Sequence, residues 1–244
     1  MARADPSDLE PQAIGLFLDV DGTVVDIAPS PAAVEIPMSL VDDLAAADRR
    51  LGGALALLSG RPIQELDRLF APLRLRASGT HGAEMRYDPD APTEMLVEVR
   101  LPDDAWEELQ RLLQGFPGTF AENKAVTFAV HYRGANAAGL LPALRRLVDD
   151  HAELQLDLVC GRRVYEIKLP GFDKGAAIER FMSRPPFAGR KPVFIADDPV
   201  DRPGFMAALA MGGMAFSVGV EQPGLSGMFA QPSAVRSWLG RIGR

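Results

Sequence analysis

Asp19 and Asp21 stand two residues apart at the end of the apolar run Ile14-Gly15-Leu16-Phe17-Leu18, and Gly22 and Thr23 follow at once. A short apolar run closed by glycine reads as a buried strand. Strand side chains alternate between faces, so the two carboxylates point the same way. Two such groups at a strand end repel unless a cation lies between them, and Mg²⁺, a hard cation, prefers oxygen ligands. One carboxylate could then attack phosphorus and become an aspartyl-phosphate. The other could give a proton to the departing oxygen and later take one from water. The plainer alternative is that Asp-x-Asp-Gly only opens a turn.

Four further residues, at three places in the chain, have the same dual character. Ser59 ends the apolar stretch Gly53-Ala54-Leu55-Ala56-Leu57-Leu58. It suits a turn, or a hydrogen bond to a phosphate oxygen at a second strand end. Asp197 and Asp198 end a third apolar stretch, Pro192-Val193-Phe194-Ile195-Ala196. Lys174 opens a helical segment that Asp173 can cap, and is either a solvated lysine or a phosphate ligand. In one parallel sheet these strand ends meet on one edge, where open α/β sheets place their ligands. Two acid clusters can hold one Mg²⁺, while Ser59 and Lys174 hold phosphate oxygens. Phosphoryl transfer is largely positioning and electrostatics, so the set is sufficient in kind.

The elements that must position these groups can be read from the pattern. Strand and helix signals alternate up to about residue 84, with helices beginning near Pro37 and running from Ile63 to Phe70. Pro37 is expected in the first turn of its helix. From Leu101 the pattern changes. Helical spacing covers Asp103 to Leu113 and Leu140 to Asp150, and alternation covers Val126 to Arg133. Leu154 to Cys160 and Arg163 to Leu169 read as a hairpin with Gly161 in its turn. Strand–helix alternation resumes at Gly171, with a strand over Met214 to Val218 and a last helix holding Val235, Trp238 and Leu239. The expected fold is α/β: a Rossmann-like parallel-sheet core over 1–101 and 171–244, with a smaller α+β module inserted at 102–170.

Composition is that of an ordinary globular chain of 244 residues, 47% apolar and 24% charged. A net charge of −7 argues against nucleic acid or an anionic membrane surface as partner. An anionic small molecule remains admissible, because a bound metal and a few lysines dominate the field locally. Cys160 is the only cysteine, which fits a reducing compartment. No apolar run reaches the roughly 20 residues a membrane helix needs. The expectation is a cytoplasmic monomer.

Asp19-Val20-Asp21-Gly22-Thr23, then Ser59, Lys174 and Asp197-Asp198, occur in the order that characterises haloacid dehalogenase-superfamily phosphohydrolases, which the chain resembles. The resemblance implies that Asp19 is the nucleophile and Asp21 the acid/base. It implies that Asp19, Asp21 (through its backbone carbonyl) and Asp197 coordinate Mg²⁺, and that Ser59 and Lys174 bind the phosphoryl group. Leu57-Leu58-Ser59-Gly60-Arg61, His81-Gly82-Ala83-Glu84, Glu122-x-Lys124, Val130-His131-Tyr132-Arg133 and Glu166 before Asp173-Lys174-Gly175 are similar to trehalose-6-phosphate phosphatases. That resemblance covers about residues 13 to 240 and makes the inserted module a sugar-recognising cap, with Glu122, Lys124 and Glu166 on the sugar. Taken alone, those three read as a cross-strand salt bridge. Arg61, His81, His131, Arg133, Asp198 and Asp201 are expected to support the site. The implied activity is Mg²⁺-dependent hydrolysis of trehalose 6-phosphate. The alternatives are a phosphatase for another sugar phosphate, such as a phosphorylated glucosyl- or mannosyl-glycerate, and a catalytically impaired relative that binds without turnover.

One segment departs from the family pattern Gly-Asp-Asp-x-Thr-Asp-Glu, reading Ala196-Asp197-Asp198-Pro199-Val200-Asp201-Arg202. Val200 lacks the hydroxyl, and Arg202 replaces an acid. Arg202 is expected to place positive charge near the metal and weaken its binding.

Overall fold

The computed structural model describes residues 10–28, 33–97, 100–132, 137–161 and 164–244. The described residues up to Leu96, together with Asp173–Arg244, make one compact unit, and Val97–Phe172 make a second. No helix among the described residues is long and apolar enough to cross a membrane.

The first unit opens with β1 (Ile14–Leu18), α1 (Met38–Arg50), β2 (Leu55–Leu58), α2 (Ile63–Leu69), β3 (Arg76–Gly79), β4 (Glu84–Arg86) and β5 (Glu94–Met95). Pro37 is the N-cap of α1, one place before the expected first turn. The second unit contains α3 (Asp103–Leu113), β6 (Phe120–Asn123), β7 (Thr127–His131), α4 (Leu140–Asp150), β8 (Asp157–Gly161) and β9 (Val164–Lys168). The chain then returns to the first unit through α5 (Lys174–Met182), β10 (Lys191–Ala196), α6 (Arg202–Ala210), β11 (Met214–Val218), β12 (Gly227–Phe229) and α7 (Pro232–Ile242).

In the first unit the sheet order is β12-β11-β10-β1-β2-β3-β4-β5. All pairs are parallel except β3–β4 and β4–β5. The expected parallel core thus carries an antiparallel edge. All five residues of β1 are buried, as a central strand covered on both faces requires. On one face Phe17 packs on Phe181 of α5 and Phe194 packs on Phe205 of α6. On the other, Phe216 meets Phe229, which meets Trp238 of α7, and α7 packs along α1. From β1 the chain steps outward through β2 and β3, then returns to lay β10 on the opposite side of β1. The direction reverses there, and a crevice opens at such a switch point.

The second unit is a four-stranded antiparallel sheet, β6-β7-β9-β8. Phe128, Val130 and Ile167 are buried on one face, where Trp106 of α3 lies 5.1 Å from Phe128. The first strand of the expected hairpin, β8, starts later than the alternation suggested. Ala152–Leu154 form a 3-10 turn, Gln155 is left-handed (φ 51°), and pairing starts at Asp157. Gly161 belongs to β8, paired with Val164, while residues 162 and 163 lie outside the described residues.

Candidate active site

Asp19 and Asp197 leave adjacent parallel strands on the same edge. Leu18 is in register with Ile195, and the Asp19 N–H donates to the Ile195 carbonyl at 2.9 Å. A turn in residues 198–201 brings in a third acid. The Asp198 carboxylate accepts the Val200 N–H at 3.0 Å, and the Asp201 carboxylate accepts the Asp198 N–H at 3.3 Å. This reciprocal cap, with Pro199 at its first position, folds Asp201 back into the protein. Asp19, Asp197 and Asp201 are all buried, and each offers an oxygen within 4.8 Å of the others.

Gly22 closes the other side. Its φ is +86°, and a Cβ there would lie 2.3 Å from Asp197 Oδ2, so both backbone and space exclude a side chain.

Lys174 enters this cluster from the first position of α5. Asp173 caps that helix by accepting the Ala176 N–H at 2.8 Å. Lys174 Nζ lies 2.6 Å from Asp19 Oδ1 and 2.5 Å from Asp201 Oδ1. Thr23 Oγ1 donates to the other Asp19 oxygen at 2.9 Å. Both lone-pair regions of Asp19 are therefore directed. Burial pushes the Asp19 carboxyl above its ordinary range, against the opposing pull of Lys174. Burial, then the charges of Asp19, Asp201 and Asp198, push Asp197 up to about 8. Burial also takes Asp201 up to about 7, although Lys174 opposes it. Burial alone would lower Lys174, but Asp19 and Asp201 outweigh it and hold the ammonium charged. Three buried carboxylates against one ammonium form a site short of positive charge. A small oxygen-seeking dication such as Mg²⁺ fits this donor set.

Ser59 follows β2 on the same edge, buried, with its Oγ accepting the Arg61 N–H at 3.1 Å. The Arg61 guanidinium grips Asp21 with two bonds, Nε to Oδ2 at 2.6 Å and Nη2 to Oδ1 at 2.8 Å. The Asp21 carboxylate is thus held apart from the three clustered acids. Thr80 and His81 both take left-handed backbone (φ 45° and 56°), and His81 Nε2 would lie 2.2 Å from a Cβ at Gly60. Glu84 fixes this turn by accepting the Ile63 N–H at 2.7 Å and the Thr80 hydroxyl at 2.8 Å.

In the second unit, Glu122, Ala129, Glu166 and Val159 are in register across the four strands and share one face. Glu122 Oε2 lies 3.8 Å from Lys124 Nζ and 3.3 Å from His131 Nε2. Glu166 is buried. Arg133 lies outside the described residues.

Two residues of the 198–202 segment lie as follows. Asp201, expected only as support, is one of the three buried clustered acids; its signal was the Asp-x-x-Asp spacing with proline behind the first acid. Arg202 is exposed at the start of α6. Successive residues of a helical turn point about 100° apart, so a buried Asp201 sends its neighbour outward.

A parallel sheet with buried acids at its central strand ends, interrupted by an α+β unit, is a fold shared with a solved phosphatase of the haloalkanoate (HAD) enzyme superfamily. The chain matches a solved phosphatase of that superfamily from Bacteroides thetaiotaomicron with TM-score 0.62 at 13% identity, over 100% of this chain and 99% of that one. It matches the C-terminal domain of trehalose-6-phosphate phosphatase from C. albicans with TM-score 0.81 at 20% identity, over 95% and 92%. A curated relative, trehalose-6-phosphate phosphatase of Escherichia coli (strain K12), is 38% identical over 232 residues, 93% of this chain and 85% of the relative. The family model described as trehalose-phosphatase matches residues 17–223. The chain belongs to the trehalose-phosphatase family.

Proposed function

We propose that this protein hydrolyses trehalose 6-phosphate to trehalose and phosphate, and that Asp19 is its nucleophile. The observation that carries the proposal is the buried convergence of Asp19, Asp197, Asp201 and Lys174 on one sheet edge, in a chain of this family. Asp19 attacks phosphorus through a carboxylate oxygen, and the bond from phosphorus to the sugar oxygen breaks. Asp21 gives that oxygen its proton. Asp21 then takes a proton from water, which attacks the aspartyl-phosphate and frees Asp19. Lys174 and Thr23 fix the Asp19 carboxylate for the attack. Lys174 and Ser59 bind phosphoryl oxygens, and Arg61 orients Asp21. The carboxylates of Asp19, Asp197 and Asp201, with the Asp21 carbonyl, would hold Mg²⁺. Bound there, Mg²⁺ would supply positive charge that offsets both carboxylates and phosphate.

Glu122, Lys124 and Glu166 bind sugar hydroxyls, which both donate and accept. Cysteine usage, a single exposed Cys160, supports a reducing compartment such as the cytoplasm.

Phosphate release from trehalose 6-phosphate, with and without Mg²⁺, tests the reading beside a panel of other sugar phosphates. The purified protein is expected to prefer trehalose 6-phosphate and to need the metal. Asp19→Asn should fold normally and lose turnover; wild-type phosphate release by that variant rejects the mechanism.

A further inference from the structure

The face of the second unit's sheet that holds Glu122 and Glu166 also carries an aromatic ring. Phe120, the first residue of β6, is 47% exposed. It lies two residues before Glu122 and on the same face. One side of its ring covers the His131 imidazole, with centroids 4.6 Å apart and planes within 17°. The exposed area is therefore the opposite ring face and its rim.

The surroundings give this plate a chemical context. His131, beneath Phe120, also reaches Glu122 at 3.3 Å, so ring and carboxylate are tied through one imidazole. The same Glu122 oxygen lies 3.8 Å from Lys124 Nζ. In the next row Ala129, itself fully buried, separates Glu122 from the buried Glu166 in register. A flat, half-exposed apolar ring thus stands beside an acid and an ammonium. A pyranose has the matching shape: its ring C–H groups form an apolar face, and its hydroxyls project from the rim. Small-molecule sites combine aromatic walls with a few placed polar groups in this way.

We propose that Phe120 contacts the substrate, its open face carrying a pyranose ring of the sugar phosphate, and that this contact favours ring-bearing substrates. The proposal rests on the phosphatase reading above and adds a residue that sets specificity. His131 acts on the substrate through Phe120 and Glu122 and is a positioning residue.

The test compares Phe120→Ala and Phe120→Trp with wild type on trehalose 6-phosphate and on acetyl phosphate, which has no ring. In Phe120→Ala the ratio of the two kcat/KM values should fall roughly ten- to hundredfold, mainly through KM for the sugar phosphate. Trehalose should also weaken as a competitive inhibitor of acetyl phosphate hydrolysis. Phe120→Trp should keep most of the wild-type ratio. Circular dichroism and Tm establish that each variant is folded. An unchanged ratio in folded Phe120→Ala overturns the proposal, as does a Phe120→Trp variant no better than alanine. If wild type prefers another sugar phosphate, the trehalose assignment fails, and the ratio is taken on the preferred substrate. Wild-type turnover of acetyl phosphate but of no sugar phosphate rejects both.

Discussion

Replacing Lys174 by methionine removes the ammonium that pairs with Asp19 at 2.6 Å and Asp201 at 2.5 Å, and keeps most of the side chain's volume. Lys174 is 5% exposed and its two partners are buried, so water cannot take its place. Breaking a buried pair by removing one partner costs about 3–5 kcal/mol. For a chain of this length each kcal/mol lowers Tm by about 2–4 °C, so metal-free Lys174→Met should melt about 6–20 °C below wild type. Protonation of the orphaned carboxyls softens the loss. Burial already raises Asp197 to about 8 and Asp201 to about 7, and the loss of Lys174 raises Asp201 further. A carboxyl with a raised folded-state pKa stabilises below its unfolded pKa and loses that contribution as pH climbs through the folded one. The deficit should therefore be larger at pH 9 than at pH 6. Mg²⁺ should restore the variant more than it stabilises wild type, because the dication meets more uncompensated charge. Scanning calorimetry in chelator and in excess Mg²⁺, at both pH values, measures all of this. Turnover should fall by at least about a hundredfold, since Lys174 touches the proposed nucleophile. A metal-free Tm within about 2 °C of wild type, or equal Mg²⁺ shifts for both proteins, would refute the charge argument.

Arg61→Gln, which loses the two-bond grip on Asp21, should slow trehalose 6-phosphate hydrolysis roughly ten- to hundredfold. The loss should be smaller in the first turnover of p-nitrophenyl phosphate, whose leaving group needs no proton; stopped-flow traces separate the two. Apparent Mg²⁺ affinity of wild type should rise between pH 6 and pH 9, as Asp201 and then Asp197 deprotonate, and calorimetric titration reads the slope. Over the same range the metal-free protein should lose stability, because these groups bind protons more tightly folded than unfolded. Gly22→Ala sets a Cβ 2.3 Å from Asp197 Oδ2 on a backbone of φ +86°. It should cost about 1–3 kcal/mol in chemical denaturation and weaken Mg²⁺ binding.

Much of the arrangement was legible because apolar runs ended in polar residues. Leu18 before Asp19 and Leu58 before Ser59 marked strand ends, and α3 and α4 followed their 3.6-residue periodicity to the residue. The antiparallel edge was not legible. Glu84–Arg86 and Glu94–Met95 are too short for a periodic signal, and they pair only because β3 presents its edge. The β8 boundary slipped because Gln155 adopts left-handed backbone, a cost that local pattern does not display. Asp201 was undervalued for a related reason. Its importance comes from Lys174, 27 positions earlier, and only the fold brings the two together.

The position of β1 between β2 and β10 bears on how the chain is made. Leaving the ribosome, β1 and β2 can pair early, yet the second flank of β1 waits for Lys191–Ala196. Until then an all-apolar strand offers unsatisfied amides to any neighbouring polypeptide. Val97–Phe172 emerges during that interval and can collapse by itself, since its sheet is antiparallel and its pairings are internal. Chains truncated between about residues 173 and 190 should therefore aggregate through β1 while carrying a well-formed inserted module.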